Sequence, residues 1–347
     1  MQIKDIQLIN YRNYQNREIS FEKSINLITG QNGQGKSNLI EAIQLLSTLR
    51  SIKTHQTKEL IMQQKDHALL KATVCDDNHG ENKIQIQIQD QQKTIKINQK
   101  ILNKSSELLK IFSTVTITHE DINIIDGEPT KRRKYLDIIL SKTDNYYMHE
   151  LKDLKRIIKL KNIVLKTEKI QNQTLLEDYQ QKMTDLNKQL VKKRKEFVLY
   201  IEKKLNKYLK EYFARAQYKN IQIFYKDTMG EYPGQEILNK ERQYRECLYG
   251  AHRDDFSVQT GETEVKKYLS LGEKRILSIL LKLAEKDYYV EKYSISPVVL
   301  VDDAFMGLDA EKAVIMKNLL DMKLQVIVTS TEKSVEVFKA KVNIIEI

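Results

Sequence analysis

GQNGQGKSNLIEAI, Gly30 to Ile43, holds three glycines within six residues, then a lysine, a serine and an apolar stripe. Glycine costs a helix about 1 kcal/mol relative to alanine, so crowding it where a helix begins needs a reason. Upstream, Ile25, Leu27 and Ile28 form a short apolar run. Downstream, Leu39, Ile40, Ala42, Ile43, Leu45 and Leu46 recur at helical spacing. The order is strand, glycine loop, helix. In that setting G-x-x-x-x-G-K-S reads as a phosphate loop. Gly30, Gln31, Asn32, Gly33, Gln34 and Gly35 would turn backbone N–H groups around phosphate oxygens. The helix starting at Lys36, Ser37 and Asn38 would aim its positive end at the same anion. Lys36 would reach the β- and γ-phosphates of ATP, and the Ser37 hydroxyl would hold Mg²⁺.

Such a loop needs an acidic partner at the end of a buried strand. PVVLVDDAF supplies it: four apolar residues lead to Asp302 and Asp303. Asp302 would help to hold Mg²⁺, and Asp303 stands where it could orient or deprotonate a water. Lys36 and Asp302 are 266 positions apart (302 − 36). A compact nucleotide-binding domain does not need that length, so the middle of the chain reads as an insertion and its two ends as one core. Ahead of the acidic strand, YLSLGEKRILSILLKLAE repeats the anion-binding logic with Ser270, Gly272 and a helix start. Ser270 with Glu273 also spells an ordinary capping box. A second anion site on a chain that already has one suggests a partner's nucleotide.

The bulk composition is consistent with this reading. The chain has 347 residues, 41% apolar and 30% charged, with a formal net charge of +11. A basic balance favours polyanionic partners. Two distant cysteines, Cys75 and Cys247, predict neither a disulfide framework nor a zinc site. No apolar run reaches the roughly 18 residues of a membrane helix, and the N-terminus lacks a secretion layout, so a cytoplasmic protein without a membrane partner is expected.

Ile3, Ile6, Leu8 and Ile9 predict a strand. Strands are also expected over 68–102, with a hairpin turn at Asp90-Gln91-Gln92. From about 131 to 215 glycine and proline vanish, and LKDLKRIIKLKNIVLK and YIEKKLNKYLKEYF show helical spacing, predicting a bundle or helical hairpin. Mixed strand-like texture follows over 220–260, then a strong helix from Leu271 to Tyr289. The Val298–Val301 strand, a helix over Ala310–Asp321 and a Val326–Val328 strand complete a largely parallel sheet. The expected division is a head of 1–118 and 246–347 around a mostly helical insertion, 119–245.

These segments together resemble the ABC-type ATPases of chromosome and repair biology, and more closely the RecF family. The resemblance spans nearly the whole chain. It rests on the FRN-like Tyr11-Arg12-Asn13, the phosphate loop, and Pro129, Arg132, Arg133, Leu136 and Asp137 in GEPTKRRKYLDIIL. It continues through GAHRDDF (Gly250–Phe256), LSLGEKR and VDDAFMGLD, which ends at Asp309. The resemblance implies an α/β fold, an ABC-type P-loop ATPase head with a mixed sheet, an antiparallel β-rich part and a helical insertion. It also implies an ATP-dependent dimer in which each nucleotide meets the loop and Arg12 of one subunit and Ser270, Gly272 and Glu273 of the other. Further implications are DNA binding at gaps and single–double-strand junctions, cooperation with RecO, RecR and RecA, and weak ATP hydrolysis. The signature reads S-L-G-E, with bulky Leu271 in second place. Thr329-Ser330-Thr331 offers no histidine switch, and Gln56 is the candidate for a glutamine lid. An SMC- or Rad50-like head would carry long coiled coils, and a transporter subunit a standard signature; this chain shows neither.

DNA would be held by lysines and arginines on phosphates. The expected contacts are Lys131, Arg132 and Arg133, and Lys192, Lys193 and Arg194. No base-reading motif is present, so recognition by structure rather than sequence is expected. His252 and Arg253 form a polar patch in which Arg253 could pair with Asp254 and Asp255.

Overall fold

The computed structural model describes residues 1–22, 25–54, 56–76, 80–90, 92–102, 107–108, 111–167, 173–213, 220–230, 234–303, 315, 319–320, 324–330 and 342–347. They divide into two compact units, 1–120 with 285–347, and 121–284.

The first unit holds two sheets. Strands β1 (Gln2–Tyr11), β2 (Tyr14–Ser20), β4 (His67–Asp76), β5 (Gly80–Gln89), β6 (Gln92–Ile97) and β7 (Lys100–Ile101) form an antiparallel sheet ordered β2-β1-β4-β5-β6-β7. In β1 the buried residues are Ile3, Ile6, Leu8 and Tyr11. The break in their alternation coincides with a register shift between Ile3 and Asp5. Gln89 pairs with Gln92, so the expected hairpin has a two-residue turn, and Asp90 takes the left-handed φ of 49° that such turns need. Gln91 lies outside the described residues.

The second sheet is parallel and ordered β14-β3-β13-β12-β8, from β3 (Ile25–Thr29), β8 (Thr114–Thr118), β12 (Val298–Asp302), β13 (Val326–Thr329) and β14 (Val342–Glu346). Every residue of β3, β12 and β13 is buried, as parallel strands covered on both faces require. Helix α1 (Lys36–Thr48) packs against β8, β12 and β13 of this sheet and against β4 and β5 of the other. That position explains why Leu39, Ile40, Ala42, Ile43, Leu45 and Leu46 are all fully buried. The helix expected over Ala310–Asp321 lies largely outside the described residues, as does Asp309.

The second unit contains α2 (Pro129–Thr143), α3 (Asn145–Lys166), α4 (Gln173–Tyr212) and α5 (Gly234–Tyr244), and the start of α6 (Leu271–Tyr293). A small antiparallel sheet, β11-β10-β9, comprises β9 (Ile221–Lys226), β10 (Asp255–Thr260) and β11 (Thr263–Glu264). Pro129 opens α2 at its first turn. Asp144 caps α3, accepting from the N–H groups of Tyr146 and Tyr147 at 2.9 and 3.1 Å. Helices α3 and α4 pack together as a helical hairpin, one of the two arrangements that the spacing allows. Residues 246–284 belong to this unit rather than returning to the head at 246. The reason is pairing: β10 runs along the whole of β9, and α2 packs on β10.

Candidate functional site

The site is built at the carboxyl ends of the parallel strands, where open α/β sheets bind ligands. Strand β3 delivers the glycine loop and β12 delivers the two aspartates, with β13 hydrogen-bonded between them. Ile28 is level with Thr329, and Val301 with Val328. The backbones of β3 and β12 are therefore about 10 Å apart, two strand spacings. The two distant ends of the sequence meet as expected.

Each glycine of the loop has a separate cause. A Cβ on Gly30 would stand 2.4 Å from Gln34 Oε1 and 2.7 Å from the carbonyl of Ile347. One on Gly35 would stand 2.5 Å from Asn13 Nδ2. Gly33, at φ 87°, faces no atom within 4 Å, so its side is open. Gly35 is the N-cap of α1, supplies no side-chain cap, and is followed by a first turn without acidic residues. The orphan N–H groups of the helix start are thus unchallenged, the condition for seating an anion. Lys36 Nζ spans the loop, donating to the carbonyls of Gly30 at 2.7 Å and Gln31 at 3.0 Å. This donor set fits a polyphosphate.

Asp302 is buried, and one of its carboxylate oxygens accepts from the Thr329 hydroxyl at 2.9 Å. The same hydroxyl accepts from the Asp303 N–H at 3.1 Å. Asp303 takes φ 50°, in the left-handed region. Burial first, then the neighbouring Asp302, push its carboxyl above the usual carboxylate range; Lys36, Thr329 and His119 oppose this. Asp302 pairs with Thr118 at the end of β8, which places His119 beside the aspartates. Two adjacent carboxylates, of which Asp303 feels the charge of Lys36, fit a magnesium-bound polyphosphate, with Ser37 and Asp302 the candidate metal ligands.

The loop also has supports that no local sequence pattern announces. Asn13 donates to the Gln34 carbonyl at 2.8 Å and accepts from Asn38 Nδ2 at 2.9 Å. Tyr14 donates to the Gly35 carbonyl at 3.0 Å. Arg12, expected to meet the nucleotide, is anchored to α1 and the segment before β4. Its guanidinium forms a bidentate pair with Glu41, at 3.0 and 2.9 Å, and also donates to the Glu59 carbonyl at 2.9 Å. Glu41 is fully buried. Arg12 is therefore a strut between the β1–β2 corner and α1, where a buried carboxylate demands its charge. Gln56 is exposed, and its N–H donates to Thr54; among the described residues no hydrogen bond ties it to the loop.

In the second unit Ser270 is exposed at the start of α6. Glu273 accepts from its N–H at 2.9 Å and its hydroxyl at 2.7 Å, a capping box. A Cβ on Gly272 would meet nothing within 4 Å, and its φ is not positive. Leu271 and Tyr268 flank the serine at 63% and 78% exposure.

The basic clusters need correction. Arg132 is buried and pairs with Asp255 at 2.7 and 2.9 Å. Arg133 donates to the Asp254 carbonyl at 2.8 Å. Arg194 is 1% exposed and bonded to Asp137, Tyr147, Tyr225 and the Ala251 carbonyl. Arg132 and Arg194 are buried against carboxylates of their own unit, a placement that does not suit contact with DNA phosphates, whereas Arg133 is half-buried on a backbone carbonyl. Lys193 pairs with Asp144 at 3.1 Å, while Lys131 and Lys192 are exposed. Arg253 pairs with Glu246 rather than with Asp254 or Asp255. Burial, with Arg253 and Arg133 nearby, pushes His252 down to about 4.

A phosphate loop on a parallel strand, two aspartates two strands away, an antiparallel sheet behind the shared helix, and a second helical unit define the ATPase head of the ABC and SMC type. The family model for the RecF/RecN/SMC N-terminal domain matches residues 2–346. The DNA replication and repair protein RecF of Bacillus subtilis (strain 168) is 30% identical, covering 95% of this chain and 93% of its own length. That of Clostridium acetobutylicum is 31% identical, covering 95% and 93%. A solved structure of the recombination mediator protein RecF with ATP superposes with a TM-score of 0.84 at 30% identity, covering 96% and 92%. A Pyrococcus furiosus Smc head, at 17% identity and a TM-score of 0.56, shares the fold. The chain belongs to the RecF family.

Among the described residues no helix is long and apolar enough to cross a membrane.

Proposed function

We propose that this chain is an ATP-switched DNA-binding protein of replication and recombinational repair. ATP would sit on residues 30–38, with Lys36 on its β- and γ-phosphates and Mg²⁺ held by Ser37 and Asp302. The metal would supply charge neutralisation at the phosphates. Asp303, its carboxyl already raised by burial, would orient or deprotonate the attacking water. It is a shorter carboxylate than the glutamate of transporter-type relatives, which supports slow hydrolysis that resets the switch.

ATP would join two copies, the loop of one meeting Ser270, Gly272 and Glu273 of the other. The open surroundings of Gly272 support this: no neighbour within its own unit calls for glycine there. The dimer would clamp gapped DNA and single–double-strand junctions and help to load RecA; a solved relative described as a recombination mediator in the RecFOR pathway supports RecO and RecR as its partners. The cytoplasm is the expected compartment.

The observation that carries the reading is the phosphate loop, built on β3 two strands from Asp302. Sedimentation with ATP, ADP or no nucleotide, with and without gapped DNA, tests it. ATP alone should give dimers, and Lys36→Ala should lose ATP binding, dimerisation and ATP-dependent DNA retention together. A Lys36→Ala protein that holds gapped DNA with ATP as tightly as wild type refutes the switch.

A further inference from the structure

Arg132, Arg133 and Arg194 are engaged within their own unit, and of the expected cationic contacts Lys131, Lys192 and Lys193 stay exposed; a longer row of cations lies on α3. Helix α3 buries Tyr147, Leu151, Leu154, Val164 and Leu165. At about 100° per residue, its opposite side gathers His149, Lys152, Lys155, Arg156, Lys159 and Lys166 within an arc of about 120°. All six are exposed, and Ile163 is exposed among them at 53%. The acids of this helix, Glu150 and Asp153, fall outside that arc. Among the described residues, Lys152, Lys155, Arg156, Lys159 and Lys166 form no side-chain ion pair or hydrogen bond. The neighbouring α4 is different: its exposed lysines alternate with Asp178, Asp185 and Glu196.

We propose that this stripe of α3 is a docking surface for the phosphate backbone of nucleic acid, the DNA of the proposed function, on which this inference rests. From Lys152 to Lys166 it runs about 21 Å at 1.5 Å per residue. Over that length a duplex carries about 12 phosphate charges, one per ~1.7 Å. Single-signed charge at close helical spacing, without aromatic anchors among the six, suits a polyanion read without sequence preference. An acidic protein surface would bring discrete carboxylates and its own hydrogen-bonding donors, for which this helix face offers only His149 as an acceptor side chain.

The test is DNA binding by the full chain, with and without ATP, measured from 50 to 300 mM salt. The triple variant Lys152→Ala/Arg156→Ala/Lys159→Ala keeps good helix formers at every position. Each lost duplex phosphate contact flattens the log–log salt slope by about 0.9 and removes about fivefold affinity at 0.15 M. The variant should thus lose a slope of 2 to 3 and on the order of 100-fold in affinity, with ATP affinity unchanged. A control, Lys65→Ala/Lys71→Ala/Lys100→Ala, removes equal charge from exposed positions of the first unit and should keep the wild-type slope. If wild type binds DNA and the stripe variant binds with the same slope, the stripe is not the surface. Equal losses in both triple variants would reduce it to net charge and overturn the proposal. Binding of poly-glutamate, lost in the stripe variant while DNA binding persists, would reassign the face to an acidic protein. If wild type itself holds no DNA at any salt, the functional reading fails first.

Discussion

Arg12→Met is the most informative single change in the first unit. In the native protein the Arg12 guanidinium makes two hydrogen bonds to Glu41, whose side chain has no exposed surface. Charge-assisted bonds are worth about 1.5–3 kcal/mol each. Breaking a buried pair from one side costs about 3–5 kcal/mol, because the other charge remains buried. The estimates converge near 4 kcal/mol. For a unit of this size that lowers the melting temperature by about 10 °C, at 2–4 °C per kcal/mol. The chain has no tryptophan, so differential scanning calorimetry is the appropriate assay. The double variant Arg12→Met/Glu41→Leu removes both charges and should recover most of the loss, since an apolar pair of similar volume is tolerated. A single variant melting within about 3 °C of wild type, or a double variant no better than the single, would show that Glu41 is not buried as described.

Two further outcomes are expected. Asn13→Ala removes two hydrogen bonds that brace the phosphate loop; at about 1 kcal/mol each, affinity for a fluorescent ATP analogue should fall by up to roughly 30-fold, and an unchanged affinity would remove Asn13 from the site. His252 is held neutral by burial, pushed down from 6.5 to about 4. On acidification the unfolded chain takes up this proton before the folded one, so stability is lost as pH falls through the window from 6.5 to 4. Between pH 7.5 and 5 this side chain accounts for about 2 kcal/mol. His252→Gln should lack that share of the acid sensitivity in urea unfolding; an identical pH profile would contradict the burial.

The nucleotide half of the site was legible because its chemistry is written in short runs. A glycine loop between an apolar strand and an apolar-periodic helix, and two aspartates closing a run of valines, need no distant context. Asn13, Tyr14 and Glu41 were not legible as supports, because a hydrogen bond across a sheet corner leaves no periodic trace. The arginines misled for the same reason. Arg132 meets Asp255 across 123 positions, and Arg194 meets Asp137 across 57; nothing local distinguishes a buried arginine from a solvated one. The segment 246–284 joined the second unit because β10 pairs with β9, a choice that pattern alone does not dictate. The stripe on α3 lies in LKDLKRIIKLKNIVLK, where the apolar spacing that marks the helix also fixes which lysines share its opposite face.

The placement of β3 bears on how the molecule is made. Its two neighbours, β13 and β14, begin 297 and 313 residues after its end (326 − 29 and 342 − 29). At a synthesis rate of about 5–20 residues per second, Ile25, Leu27 and Ile28 spend roughly 15–60 seconds on the ribosome with both strand edges unpartnered. During translation the glycine loop therefore hangs from an unsupported ribbon, and nucleotide cannot template its own cradle until the final strands emerge. Newly made chains should accordingly depend on chaperone shelter far more than mature protein does.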